Sequence, residues 1–191
     1  AMTRRKYDYN VTGVEFLIGG VKAMNDWTSV PVVRGAGGDV TLKAEEPIWY
    51  ALPDGNLAAL FRDNGGSKYI YRAFSTDNGR TWMEHDKNPV LKHAGRDPKL
   101  LWYEKGKHWV MAVYDEQQGK QWIAFHTSKD LKEWSFASRI DGFFECPDLF
   151  ELPVDGDANN RKWVLTAADS NYVVGTFDGR EFMPESPRLK G

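Results

Sequence analysis

A repeat of about 50 residues runs through most of this 191-residue chain and restricts it to very few architectures. Three segments open on a proline, Pro47, Pro98 and Pro147, spaced by 51 and 49 residues. Behind each proline come four short runs rich in aromatic and β-branched residues. The first segment holds Ile48-Trp49-Tyr50, Leu57 to Phe61, Tyr69 to Phe74 and Thr81-Trp82. The second holds Lys99 to Trp102, His108 to Val113, Trp122 to Phe125 and Glu133-Trp134. The third holds Asp148 to Phe150, Lys162 to Leu165, Tyr172 to Gly175 and Glu181-Phe182. Turn residues separate the runs, as at Pro53-Asp54-Gly55, Gly106, Gly119 and Asp178-Gly179. No stretch shows a helical period with caps. Four strands in such a span make one propeller blade. The expectation is therefore an all-β fold of about three and a half four-stranded antiparallel β-propeller blades in a single domain. Residues 1–45 form a partial blade, and residues 46–90, 91–140 and 141–187 form whole ones.

Within the first whole blade, Ser75-Thr76-Asp77-Asn78-Gly79-Arg80-Thr81-Trp82 matches the Asp-box hairpin, S-x-D-x-G-x-T-W. There the Asp side chain bonds turn amides, Gly permits a positive φ and Trp packs between blades. The partial blade reads as two final strands, with Asn25-Asp26-Trp27-Thr28 at their outer hairpin. Three and a half blades are fewer than a closed propeller uses, and open edges invite association, so a homo-oligomer is expected.

Composition removes several function classes. A formal charge of −2 supplies no basic face, so neither nucleic acid nor an anionic membrane is expected as a partner. Cys146 stands alone, which excludes an intrachain disulfide and a CxxC site. His85, His93, His108 and His126 lack metal-ligand spacing, so no metal and no cofactor is expected. No apolar run is long enough to span a bilayer and no signal peptide is visible. Ala1-Met2 reads as a cloning remnant, and the natural parents as secreted or periplasmic.

Acidic residues occupy matching places in the three repeats: Glu45-Glu46 before Pro47, Asp97 before Pro98, and Glu145-Cys146 before Pro147. Equivalent positions on adjacent blades would face a shared hollow. Two carboxylates there would repel each other and favour an acid/base role for one. Arg96-Asp97-Pro98 and Glu145-Cys146-Pro147-Asp148 resemble the RDP and EC motifs of the fructan-acting glycoside hydrolases, the levanases, inulinases and invertases. The similarity covers about residues 75–187. It implies that Asp97 holds sugar hydroxyls and stabilises the transition state. Glu145 would be the general acid/base, and Arg96 would hold the sugar or orient the carboxylates. The implied partner is a fructosyl-containing carbohydrate.

That family's nucleophile belongs to a W-M-N-D-P-N-G motif, which is absent here. Met24-Asn25-Asp26 repeats three of its letters, making Asp26 the nucleophile candidate and weak or no hydrolysis the expectation. Residues 1–74 resemble sialidase-like Asp-box propellers, through Leu52-Pro53-Asp54-Gly55-Asn56-Leu57, Leu60 to Gly66 and the following hairpin. In that setting Arg62 contacts substrate, its alternative being a blade-surface salt bridge. Glu45 or Glu46 adds a third acidic wall or caps a strand. Two resemblances meeting at one hairpin suggest an engineered chimera, with a natural truncated relative as the alternative. The rival functions are a non-catalytic, self-assembling propeller scaffold and a sialidase-like glycosidase.

Overall fold

The computed structural model describes residues 2–5, 14–33, 44–63, 67–93 and 95–191. They fall into two compact units, residues 1–94 and 95–191. Every regular element described is a strand, so the all-β expectation holds, and among the described residues no helix is long and apolar enough to cross a membrane.

The first unit contains β1 (Met2–Arg5), β2 (Val14–Gly19), β3 (Trp27–Val33), β4 (Ala44–Ala51), β5 (Leu57–Asp63), β6 (Ile70–Ser75) and β7 (Trp82–Glu84). Their order across the sheet is β1-β2-β3-β7-β6-β5-β4. Strands β4 to β7 form a four-stranded antiparallel blade. The preceding segment differs from expectation: it shows three strands and joins the next blade through a parallel pairing of β3 with β7. Burial explains the junction, because an isolated ribbon is marginally stable in water. Val14, Phe16, Val30 and Val32 pack with Ala59, Phe61, Ala73 and Trp82 in one core. Phe16 stacks on Trp82 with ring centroids 4.1 Å apart.

Side chains close the Ser75–Trp82 hairpin. Asp77 accepts from the Thr81 amide (2.9 Å) and hydroxyl (2.7 Å), and from the Ser75 hydroxyl (2.8 Å). The Gly79 amide donates to Ser75 Oγ at 2.8 Å, and Gly79 adopts φ +82°. These bonds, led by the Thr81 amide and hydroxyl, hold the Asp77 carboxyl down at about 2.

The second unit contains β8 (Arg96–Tyr103), β9 (His108–Gln117), β10 (Lys120–Ser128) and β11 (Ser135–Asp141), paired as one four-stranded antiparallel sheet. Its other sheet runs β12 (Asp148–Val154), β13 (Asp157–Thr166), β14 (Asn171–Phe177) and β15 (Phe182–Pro184), with β16 (Leu189–Lys190) against β14. Strand β9 is buried on both faces from Trp109 to Asp115, as a near-continuous apolar run requires. Val110, Ala112 and Tyr114 join Phe125, Phe143, Leu149, Leu165 and Phe177 in a core shared by both sheets.

Asp77 has a depressed pKa in the fold, so its stabilisation is present above about 3.8 and is lost as pH falls through about 2. Asp77→Ala should therefore be less stable than the parent in urea at pH 7, and the gap should close by pH 2. Equal gaps at both pH values would refute the hairpin assignment.

Candidate active site

The site grows from a distortion repeated at the start of the inner strands. Along β8, Arg96 pairs with Tyr114 and Lys99 with Ala112, so Asp97 and Pro98 together oppose Val113. Along β4, Glu45 pairs with Arg62 and Ile48 with Leu60, so Glu46 and Pro47 together oppose Phe61. Both are β-bulges, two residues facing one. The residue before each proline sits in the left-handed region, Glu46 at φ +54° and Asp97 at φ +56°. Glu145 (φ +53°) and Cys146 (φ +42°) do the same before Pro147. Left-handed backbone is costly for residues other than glycine, and strain of this kind collects at functional sites. Sequence alignment at the prolines thus finds a real structural equivalence.

In the second unit the bulge meets the loop ahead of β12. Arg96 donates to Glu145 Oε1 through Nε (2.8 Å) and Nη2 (2.6 Å). Asp97 Oδ2 accepts from the Cys146 amide at 3.1 Å. Lys99 Nζ lies 2.8 Å from Asp148 Oδ1, one residue past the proline on each side. The loop itself is pinned, because the Ala168 amide donates to the carbonyls of Phe144 (3.1 Å) and Glu145 (3.0 Å). Arg96, Asp97 and Glu145 are therefore brought together, although 49 residues separate the two motifs. A guanidinium serves one carboxylate and a backbone amide serves the other, so each has its own donor.

Two further residues complete the cluster. Tyr114 lies beneath the guanidinium, 4.5 Å from ring centroid to Cζ, and donates its hydroxyl to Glu116 Oε2 at 2.7 Å. Glu116 Oε2 is 3.8 Å from Arg96 Nη2. Burial pulls the Arg96 guanidinium down, but its hydrogen bond to Glu145 and the surrounding negative charge outweigh that and raise it. Burial, then the bond to and charge of Glu116, push the Tyr114 phenol up to about 12. Neither Tyr114 nor Glu116 was singled out from sequence. The available signal was the ladder position, since Tyr114 directly opposes Arg96.

The remaining candidates lie in the first unit. Arg62 Nη1 is 3.5 Å from Glu46 Oε1, while Arg62 Nε is buried without a partner among the described residues. The side chain of Glu45 lies outside the described set. Asp26 is exposed in the turn between β2 and β3, where its backbone carbonyl accepts from the Gly20 amide at 2.7 Å. His108 has a structural place, with both ring nitrogens against carbonyls, Gly106 (3.0 Å) and Gly179 (2.9 Å). It lines a separate polar cleft of about 330 Å³ with Ser128, Lys129 and Arg180.

Blades whose inner strands open on acidic bulges, with an Arg-Asp-Pro strand bonded to a Glu-Cys-Pro loop, define a glycoside-hydrolase propeller. Residues 38–190 match the Glycosyl hydrolases family 32 N-terminal domain, and the chain belongs to that family. Among similar proteins, levanase from Bacillus subtilis is 41% identical over 156 residues, covering 70% of this chain and 22% of the levanase. The extracellular exo-inulinase of Aspergillus niger is 29% identical over 219 aligned positions, covering 97% of this chain and 38% of its own length. The structure of β-fructofuranosidase from Schwanniomyces occidentalis complexed with fructosyl-erythritol superposes with TM-score 0.69 at 21% identity, over 94% of this chain and 40% of that one. This chain thus spans well under half of the relatives it matches. The family match begins at residue 38, ahead of residue 75, where the motif resemblance began.

Tyr114 has a raised pKa in the fold, so its contribution to stability is complete below about 10 and is lost as pH rises through about 12. An ultraviolet alkaline titration should show a tyrosine step near 12 that disappears in Tyr114→Phe. Survival of that step in the variant would misplace the assignment.

Proposed function

We propose that this chain carries the fructosyl-binding and acid/base part of a β-fructosidase-type glycoside hydrolase. The observation that supports this best is the bonded seam between Arg96-Asp97 and Glu145-Cys146. In this reading Glu145 protonates the leaving glycosidic oxygen and later takes a proton from water. Asp97 accepts fructosyl hydroxyls and offsets the positive charge of an oxocarbenium-like transition state. Arg96 orients Glu145. Glu46 and Arg62, ion-paired within the first unit, are substrate-binding candidates, and the Arg62 Nε that is buried without a partner among the described residues is a donor for a sugar oxygen. Asp26 is the nucleophile candidate, and turnover is weak because the usual motif around it is missing. The carbohydrates are fructans and sucrose-like fructosides, in keeping with the levanase and exo-inulinase relatives.

The family match over residues 38–74 favours one origin for the chain over a joined chimera. Sheets with open edge strands invite pairing with another chain, so we further propose that copies of the chain associate.

On levan, inulin or sucrose, Glu145→Gln and Asp97→Asn should each lower kcat/KM by about 10²-fold or more, without loss of fold by circular dichroism. Variants as active as the parent would defeat the hydrolase assignment. Light scattering should give at least twice the chain mass; a monomer would remove the association proposal.

A further inference from the structure

Arg96 reaches Glu145 in an asymmetric way. Both of its hydrogen bonds end on Oε1, while Oε2 takes none among the described residues. Arg–carboxylate pairs are frequently two-oxygen forks, and this pair is not. Something must hold its plane, and two neighbours on β9 touch it from other sides. The Tyr114 ring lies against its face, and Glu116 faces Nη2. Nearby charges are engaged elsewhere. Lys99 is on Asp148, the Cys146 amide is on Asp97, and Asp115 accepts from the Glu116 amide (2.8 Å) and the Gln117 side chain (3.4 Å).

We propose that Tyr114 and Glu116 are positioning residues that lock the plane of Arg96 and so leave Oε2 of Glu145 as the oxygen that exchanges the proton. The proposal rests on the acid/base reading of Glu145. The chemistry of each group fits its task. The buried aromatic face attracts the cation and limits its tilt. The phenol donates to Glu116 and holds that carboxylate beside Nη2. A phenylalanine would fill the same core volume but leave Glu116 untethered. Neither residue touches the glycosidic bond; both act through Arg96.

The test reads Arg96 directly. Its side-chain Nε–H resonance in ¹⁵N-labelled protein can be assigned by its loss in Arg96→Lys. In the parent this proton should exchange slowly. In Glu116→Gln and Tyr114→Leu it should exchange about tenfold faster or more, with Tyr114→Phe in between and Glu116→Asp close to the parent. Because Tyr114 is fully buried, Tyr114→Leu risks unfolding, and the half-exposed Glu116→Gln then carries the test. Exchange within about twofold of the parent in Glu116→Gln overturns the proposal. On a β-fructoside, Glu116→Gln should lower kcat with KM held within about threefold. An unchanged kcat beside an inactive Glu145→Gln overturns it as well. If exchange responds but Glu145→Gln hydrolyses like the parent, the acid/base reading falls and the locking of Arg96 stands. Where turnover is too slow to read, the exchange measurement decides.

Discussion

Everything at the candidate site depends on a backbone residue held at positive φ directly before a proline. In a regular strand, neighbouring side chains point to opposite faces. Arg96 and Asp97 are neighbours, yet both reach the 145–146 segment. The bulge makes this possible, because the extra residue breaks the alternation and bends the strand. Proline contributes by having no amide to offer the ladder, so the bulged position loses no bond that a regular strand would make. The cost is of order 1–3 kcal/mol for each left-handed residue. The core formed by β9, β10, β12 and β14 is the obvious source of the compensating stability.

The ion pair itself is a poor source of stability. The side chains of Arg96 and Glu145 remain 29% and 32% exposed, and pairs this wet contribute about 0–1 kcal/mol. Its importance is geometric. Arg96 stands among the carboxylates of Glu145, Glu116 and Asp97, the Tyr114 ring and a loop pinned by the Ala168 amide. A cation so surrounded sets where the carboxylate oxygens lie, and proton transfer is sensitive to that placement. The strained bulge and the weak salt bridge are thus complementary: one delivers the side chains and the other fixes their orientation.

The proline spacing made the blades legible because each blade is a local antiparallel meander with its own turn residues. The same spacing revealed that Glu46, Asp97 and Glu145-Cys146 are equivalent. What stayed hidden depends on pairing at long range. The parallel bond between β3 and β7 joins residues about 50 apart and leaves no turn signal, so the partial blade read as separate. Glu46 and Arg62 were found separately, but their contact follows from the β4–β5 register, which the bulge shifts by one residue. Tyr114 ends an apolar run and reads as core, which it also is. Only its ladder partner shows that its outer face meets a cation. For Asp97 and Glu145, sequence shows two acids and cannot show which donor stands beside each.

The acids of the first unit can be ranked by the same physics. A catalytic carboxylate must be held within a fraction of an ångström of its working position by groups that are themselves held. Asp26 lies in an exposed turn, and its carboxylate makes no hydrogen bond among the described residues; only its backbone takes part in closing the hairpin. Glu46 sits in a bulge with the backbone angle of Asp97, beside a largely buried arginine. Ordering Asp26 would cost side-chain entropy that nothing in its turn offsets, whereas Glu46 has already lost that freedom in the fold. Glu46 is therefore the more preorganised of the two acids, although Asp26 is the residue that the motif letters pick out.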